Sequence, residues 1–248
     1  MNLSLRQWLR LLSSVALCLT TLAAVACAQQ TANSRAELKA LPQTGQTARA
    51  RLLRDIPKNV ETQARYLFYL HGWIIENQGV RPTSPQYGVY QYQEILESFA
   101  RKGFIVVSEA RPKGTDVQQY AAKVVDQIRA LLKAGVPPQH ITVAGASKGG
   151  VITVAVSTLL KNRDVNFVIL AACGESDEYR RFHPSLWGNV LSIYDDKDNW
   201  AVTCRKFFEQ AGGLNRRKEI VLKLGLGHGI LYRPLKEWVE PTADWASQ

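Results

Sequence analysis

A chain of 248 residues carrying a formal net charge of +10 is long enough for one fully cored domain, and nothing in it asks for a second. Its 31 Lys and Arg against 21 Asp and Glu are scattered rather than blocked, with no zinc-finger spacing and no aromatic-basic RNA motif. The excess therefore reads as a basic soluble surface, and nucleic acid is not an expected partner. No Cys-x-x-Cys, His-Glu-x-x-His or Asp-rich calcium loop occurs, so no metal and no organic cofactor is expected.

Residues 1–28 read as an export signal. Arg6 and Arg10 make a basic start, Leu11 to Val25 an apolar stretch of small residues, and Ala26-Cys27-Ala28 a cleavage site. The rival reading is lipoprotein processing at Cys27, because Ala24-Val25-Ala26-Cys27 loosely fits a lipobox that lacks its usual leucine. Ser13, Ser14, Thr20 and Thr21 interrupt the apolar run, which argues against a retained membrane anchor. The expected location is the periplasm or the exterior, with no stable membrane insertion once the signal is removed. Residues 29–53, rich in Ala, Gln and Thr, form an expected flexible lead-in, and the folded domain is expected over 54–248.

The core begins at the apolar run Arg65 to Leu70, a strand that ends in His71-Gly72-Trp73. Gly79, Pro82, Ser84 and Pro85 predict a long loop to Gly88. Gln91 to Arg101 has Ile95, Leu96, Phe99 and Ala100 on one helical face, and Phe104 to Ser108 is the next strand, delivering Glu109 and Arg111 at its end. Asp116 caps a helix running to about Ala134. The stretch from Ile141 is a β-branched strand entering a tight turn, Gly145-Ala146-Ser147-Lys148-Gly149, and then a helix to about Asn162. Val165 to Ala171 is a strand, Cys173 to Gly188 a loop, and Val190 to Tyr194 a strand opening into Asp195-Asp196-Lys197-Asp198. A helix is expected from Trp200 to Gln210, a last strand over Ile220 to Leu224, and a closing helix from Pro234. Strands alternating with helices predict an α/β fold with a mostly parallel central sheet and helices on both faces.

Ligands in such sheets bind beyond the carboxyl ends of the strands, where Ser147, Glu109, Asp195 to Asp198 and His228 all fall. A serine hydroxyl becomes nucleophilic when a base takes its proton and a carboxylate fixes that base. His228, in Gly227-His228-Gly229 after the last strand, is the candidate base. His140 precedes a strand and is expected at the opposite edge, His183 lies in a polar loop, and His71 is placed to shape the site. The acid is expected from one short turn, in which Asp195, Asp196 and Asp198 all stay open, with Glu175 after the preceding strand as the lesser substitute. Cys18 and Cys27 fall in the signal, which leaves Cys173 and Cys204 for one expected disulfide.

With His71-Gly72 after a strand, Gly145-x-Ser147-x-Gly149 at the turn, an aspartate two strands on and a terminal Gly227-His228-Gly229, the chain resembles the α/β-hydrolase fold superfamily from about Tyr66 to Trp238. The resemblance implies Ser147 as nucleophile, Asp198 as orienting acid and His228 as base. It also implies the N–H groups of Lys148 and Trp73 as oxyanion donors. His71-Gly72-Trp73-Ile74 departs from the His-Gly-Gly-Gly of one large lipase and esterase branch. The expected activity is that of an exported serine esterase acting on a small or extended ester, with a minimal lid because Ala172 to Trp187 is short. An acyltransferase using the same triad, or a non-catalytic binding protein on the same fold, is the alternative. His71, Arg111 and Trp200 are expected to contact substrate. For Arg111 the competing reading is an ion pair that ties down the loop after Gly72.

Overall fold

The computed structural model describes residues 51–248. The expected signal, and all of the expected flexible segment before Arg51, lie outside the described residues. Chain order is β1 (Leu52–Leu53), β2 (Tyr66–Leu70), α1 (Trp73–Gln78), β3 (Thr83–Ser84), β4 (Gly88–Val89), α2 (Tyr92–Arg101), β5 (Ile105–Val107) and α3 (Val117–Lys133). Then follow β6 (Ile141–Ala146), α4 (Lys148–Leu160), β7 (Asn166–Leu170), α5 (Asp177–Phe182), β8 (Trp187–Asp195), α6 (Arg205–Glu209), β9 (Gly213–Leu222) and α7 (Lys236–Trp245).

Seven strands form one sheet in the order β1-β5-β2-β6-β7-β8-β9, every pairing parallel. Its central strands are buried without interruption because both faces are covered. Period-2 alternation sends Leu67, Tyr69, Ala144, Val168 and Leu191 to one face, where Ile95 and Phe99 of α2 and Trp238 of α7 pack on them. The same alternation sends Tyr66, Phe68, Val143, Phe167 and Ile169 to the other face, under Val124 and Ile128 of α3 and Ile152 of α4. Asp116 starts α3 as the sequence predicts, accepting hydrogen bonds from the N–H groups of Gln118 and Gln119.

Several elements differ from expectation. Leu52–Leu53 pairs with β5, so the sheet takes in residues assigned to the lead-in. The loop after Gly72 holds α1 and the β3–β4 hairpin, and the loop after Cys173 holds α5, whose first turn is capped by Ser176. The helix expected from Trp200 begins only at Arg205, because Asp198 Oδ1 draws the N–H groups of Trp200 and Ala201 into a turn (2.8 and 3.1 Å). β9 starts seven residues early: its Arg216, Arg217, Lys218 and Glu219 lack an apolar signature because it is the outermost strand, where charge blocks further pairing.

The chain steps from β2 outward to β5 and then returns to β6 on the far side of β2. That reversal opens a crevice between the carboxyl ends of β2 and β6. His71-Gly72 and Ser147 are the residues that leave those two ends.

Candidate functional site

Ser147 bridges β6 and α4 with φ 53° and ψ −120°, a conformation that a side-chain-bearing residue holds only under surrounding constraint. The constraint is close packing across glycines. A Cβ on Gly145 would stand 2.1 Å from the carbonyl oxygen of Gly149, and one on Gly149 would stand 1.8 Å from that of Leu70. Both positions therefore admit only glycine without moving backbone. The turn is pinned further by the Ser147 N–H, which donates to the carbonyl of Leu170 at the end of β7 (2.9 Å). Among the described residues the Ser147 hydroxyl makes no hydrogen bond, and it lines a cavity of about 390 Å³.

His228 lines the same cavity. Its Nδ1–H donates to Asp198 Oδ2 at 2.7 Å; the carboxylate is fully buried and the ring is 15% exposed. With Nδ1 so occupied, the lone pair of the neutral ring resides on Nε2. Among the described residues neither of the other two aspartates of the turn bonds to His228. Asp195 is buried and accepts from the N–H groups of Lys197, Gly227 and Leu224, so it ties the turn after β8 to the loop that carries His228. Asp196 is exposed. Gly227, at φ 53°, approaches so closely that a Cβ there would lie 2.8 Å from the carbonyl oxygen of Lys197.

Lys148 and Trp73 open α4 and α1, and neither helix has a side-chain cap. First-turn N–H groups lack intrahelical acceptors and lie at the positive end of the helix dipole. Both residues line the Ser147 cavity. Glu76 joins the two helices. Its carboxylate, fully buried, takes Arg111 Nε on Oε1 (2.8 Å) and Lys148 Nζ on Oε2 (2.7 Å), and Lys148 also donates to the Thr115 carbonyl (2.7 Å).

Two of the expected substrate contacts are corrected here. The Arg111 side chain is completely buried: besides Glu76 it reaches the His71 carbonyl and stacks on the Tyr120 ring at 5.2 Å, so it ties down the segment after Gly72 instead of meeting a ligand. His71 is buried too, held between the Gly72 carbonyl on Nδ1 (2.8 Å) and the Arg111 backbone N–H on Nε2 (2.9 Å). Burial and, after it, the Arg111 guanidinium press its pKa down to about 3, so the ring is neutral at ordinary pH. Trp200 does line the Ser147 cavity and is 75% exposed. With α1 unrecognised in the sequence, the position of Glu76 three residues from Trp73 on one helix face carried no signal. Cys173 and Cys204 are disulfide-bonded, which clamps the loop after β7 to the segment after β8. Among the described residues no group of three or more His, Cys, Asp or Glu side chains is arranged to hold a metal ion, and no helix is long and apolar enough to cross a membrane.

Solved structures share this architecture. A protein described as a dienelactone hydrolase from Klebsiella pneumoniae superposes with a TM-score of 0.53 at 13% identity, over 78% of this chain and 90% of that one. The chain has the α/β-hydrolase fold. A single-site variant of SOBER1 from Arabidopsis thaliana matches with a TM-score of 0.50 and 13% identity over 73% of this chain and 98% of its own. A CIB-like hydrolase from Thermoplasma acidophilum gives 0.50 and 15% over 77% and 90%. At these identities the likeness concerns the α/β-hydrolase fold alone. No protein-family model matches the sequence, and no curated protein does either.

Proposed function

We propose that this chain is a serine hydrolase that cleaves esters by acyl transfer, with Ser147 as nucleophile, His228 as base and Asp198 as the group that orients it. The observation carrying this reading is the 2.7 Å hydrogen bond between His228 and Asp198 beside a strained Ser147 in one cavity. Ser147 Oγ attacks the carbonyl carbon while its proton passes to His228 Nε2, and the oxyanion is met by the N–H groups of Lys148 and Trp73. Collapse breaks the C–O bond, and the imidazolium returns its proton to the departing oxygen. Water deprotonated by the same ring then adds to the acyl carbon and frees Ser147. Among the described residues no hydrogen bond joins Ser147 to His228, and this fits the scheme, since catalytic hydrogen bonds commonly tighten only when substrate is bound. The hydrolases among the structures of like fold agree with the reading without fixing the reaction.

Export completes the proposal. A disulfide joining Cys173 to Cys204 suits an oxidising compartment, as does a removable signal over residues 1–28. Labelling by a fluorophosphonate probe tests the chemistry: the folded wild type takes the label and Ser147→Ala does not. Folded wild type without label would favour the non-catalytic alternative. Mass spectrometry of the mature N-terminus tests processing, with cleavage after Ala28 expected and a lipid-modified Cys27 as the contrary result.

A further inference from the structure

Beside the Ser147 cavity lies a second one of about 960 Å³, at the upper end of the range of small-molecule sites. Gly174, Glu175, Ser176 and Trp200 line both. The backbone of this partition is braced: Cys173 is bonded to Cys204, a Cβ on Gly174 would stand 2.1 Å from the carbonyl oxygen of Trp200, and the Trp200 N–H is held by Asp198. The Trp200 ring nonetheless remains largely exposed on that fixed base. A rigidly mounted, uncovered indole is a stacking platform, and its exposure is the kind that marks a binding surface.

We infer that this second cavity receives the alcohol half of the ester, and that this half is a sugar ring. The inference rests on the hydrolase reading, because it uses the route of the proton. The departing oxygen must take its proton from His228, and Asp198, which holds that ring, begins the segment leading through Trp200 into the second cavity. The acyl half is left with the 390 Å³ cavity, which has room for a short chain. The walls decide the chemistry. Tyr179, Trp200, Val202 and Phe207 offer apolar faces, whereas Glu175, Asn199 and Lys206 are exposed and, among the described residues, make no side-chain hydrogen bond or ion pair. Those three provide an acceptor, a combined donor and acceptor, and a donor along the wall of the cavity. The two arginines of the wall are neutralised, Arg180 by Asp177 and Arg205 by Glu209. A neutral ring with apolar C–H faces and hydroxyls at its edge satisfies this set. An alkyl chain would leave the polar groups unmatched.

Calorimetric titration of Ser147→Ala with methyl 6-O-acetyl-glucopyranoside tests the inference without turnover. Saturable binding is expected, weakened roughly tenfold or more by adding Trp200→Ala and largely regained with Trp200→Phe. In the otherwise wild-type enzyme, Trp200→Ala should lower the ratio of kcat/KM for this glucoside to that for ethyl acetate by a similar factor, through KM. No binding to folded Ser147→Ala, or an unchanged ratio, overturns the sugar assignment even where the fluorophosphonate labels Ser147. Wild type that takes no label yet binds the glucoside sinks the hydrolase reading, and with it the placement of an ester's alcohol half in this cavity.

Discussion

At Asp198 a single carboxylate divides its oxygens between two tasks, Oδ1 holding the turn through the N–H groups of Trp200 and Ala201 and Oδ2 holding His228. Asp198→Asn keeps the shape, but its amide no longer enforces Nδ1–H on the ring. On the proposed reading kcat should fall by about 10⁴-fold while the thermal midpoint moves little, as steady-state kinetics and a melting curve would show. A drop of less than tenfold would remove Asp198 from the chemistry. His71 sits in the contrary setting, its Nδ1–H satisfied by a carbonyl and its Nε2 by an N–H, with Arg111 alongside. The native ring resists protonation down to about pH 3, whereas in the unfolded chain it protonates near 6.5. Between these values the unfolded state holds the extra proton, so stability is full above about 6.5 and is lost as pH falls towards 3. The slope from this ring reaches at most about 1.4 kcal/mol per pH unit. Urea unfolding of His71→Asn between pH 4 and 6 should be flatter than wild type by up to that amount; equal slopes would mean that the ring titrates alike in both states.

Helices α1 and α4 present the two candidate oxyanion donors, and one buried carboxylate on α1 spans them. Removing its charge strands Arg111 in the interior and unties Lys148. Glu76→Gln should therefore destabilise the fold by about 3 to 5 kcal/mol and, where the variant still folds, reduce kcat more than it raises KM. Unchanged kcat in a folded variant would limit Glu76 to a structural role. How legible each element was follows from where its signal lies. α3 declared itself by an Asp116 cap and apolar spacing, and β6 by its β-branched run before Gly145. α1 did not, because its six residues are too few for a period and Gly72 supplies no side-chain cap. The start of β9 was masked by the charges that an edge strand uses, and β1 is only a two-residue strand completed by pairing with β5. Chain order put the candidate acid in one turn, but Asp195, Asp196 and Asp198 differ only in burial and partners, which are properties of the folded chain.

At the scale of the whole molecule, the parallel sheet brings the ends of β2, β6, β7, β8 and β9 to one edge, and the loops there need fixing from above because the strands hold them only from below. Asp195 does this between β8 and β9, through Gly227 and Leu224. The Cys173–Cys204 bond does it between β7 and β8, across a sequence separation of 31. A cross-link closing a loop of that length contributes about 3 to 4 kcal/mol by restricting the unfolded chain. The double variant Cys173→Ala/Cys204→Ala should lose about that much in urea unfolding, and wild type in dithiothreitol should lose the same amount while the variant does not respond. The bond also braces the segment that begins at Asp198, so its removal should act on catalysis well below the unfolding transition. The expected result is a rise in KM for bulky esters that exceeds any change for ethyl acetate, because the partition bearing Trp200 loosens while the bonds of Asp198 to His228 and of Asp195 to Gly227 remain. A parallel loss of kcat for every ester would show instead that the disulfide holds the acid itself in place.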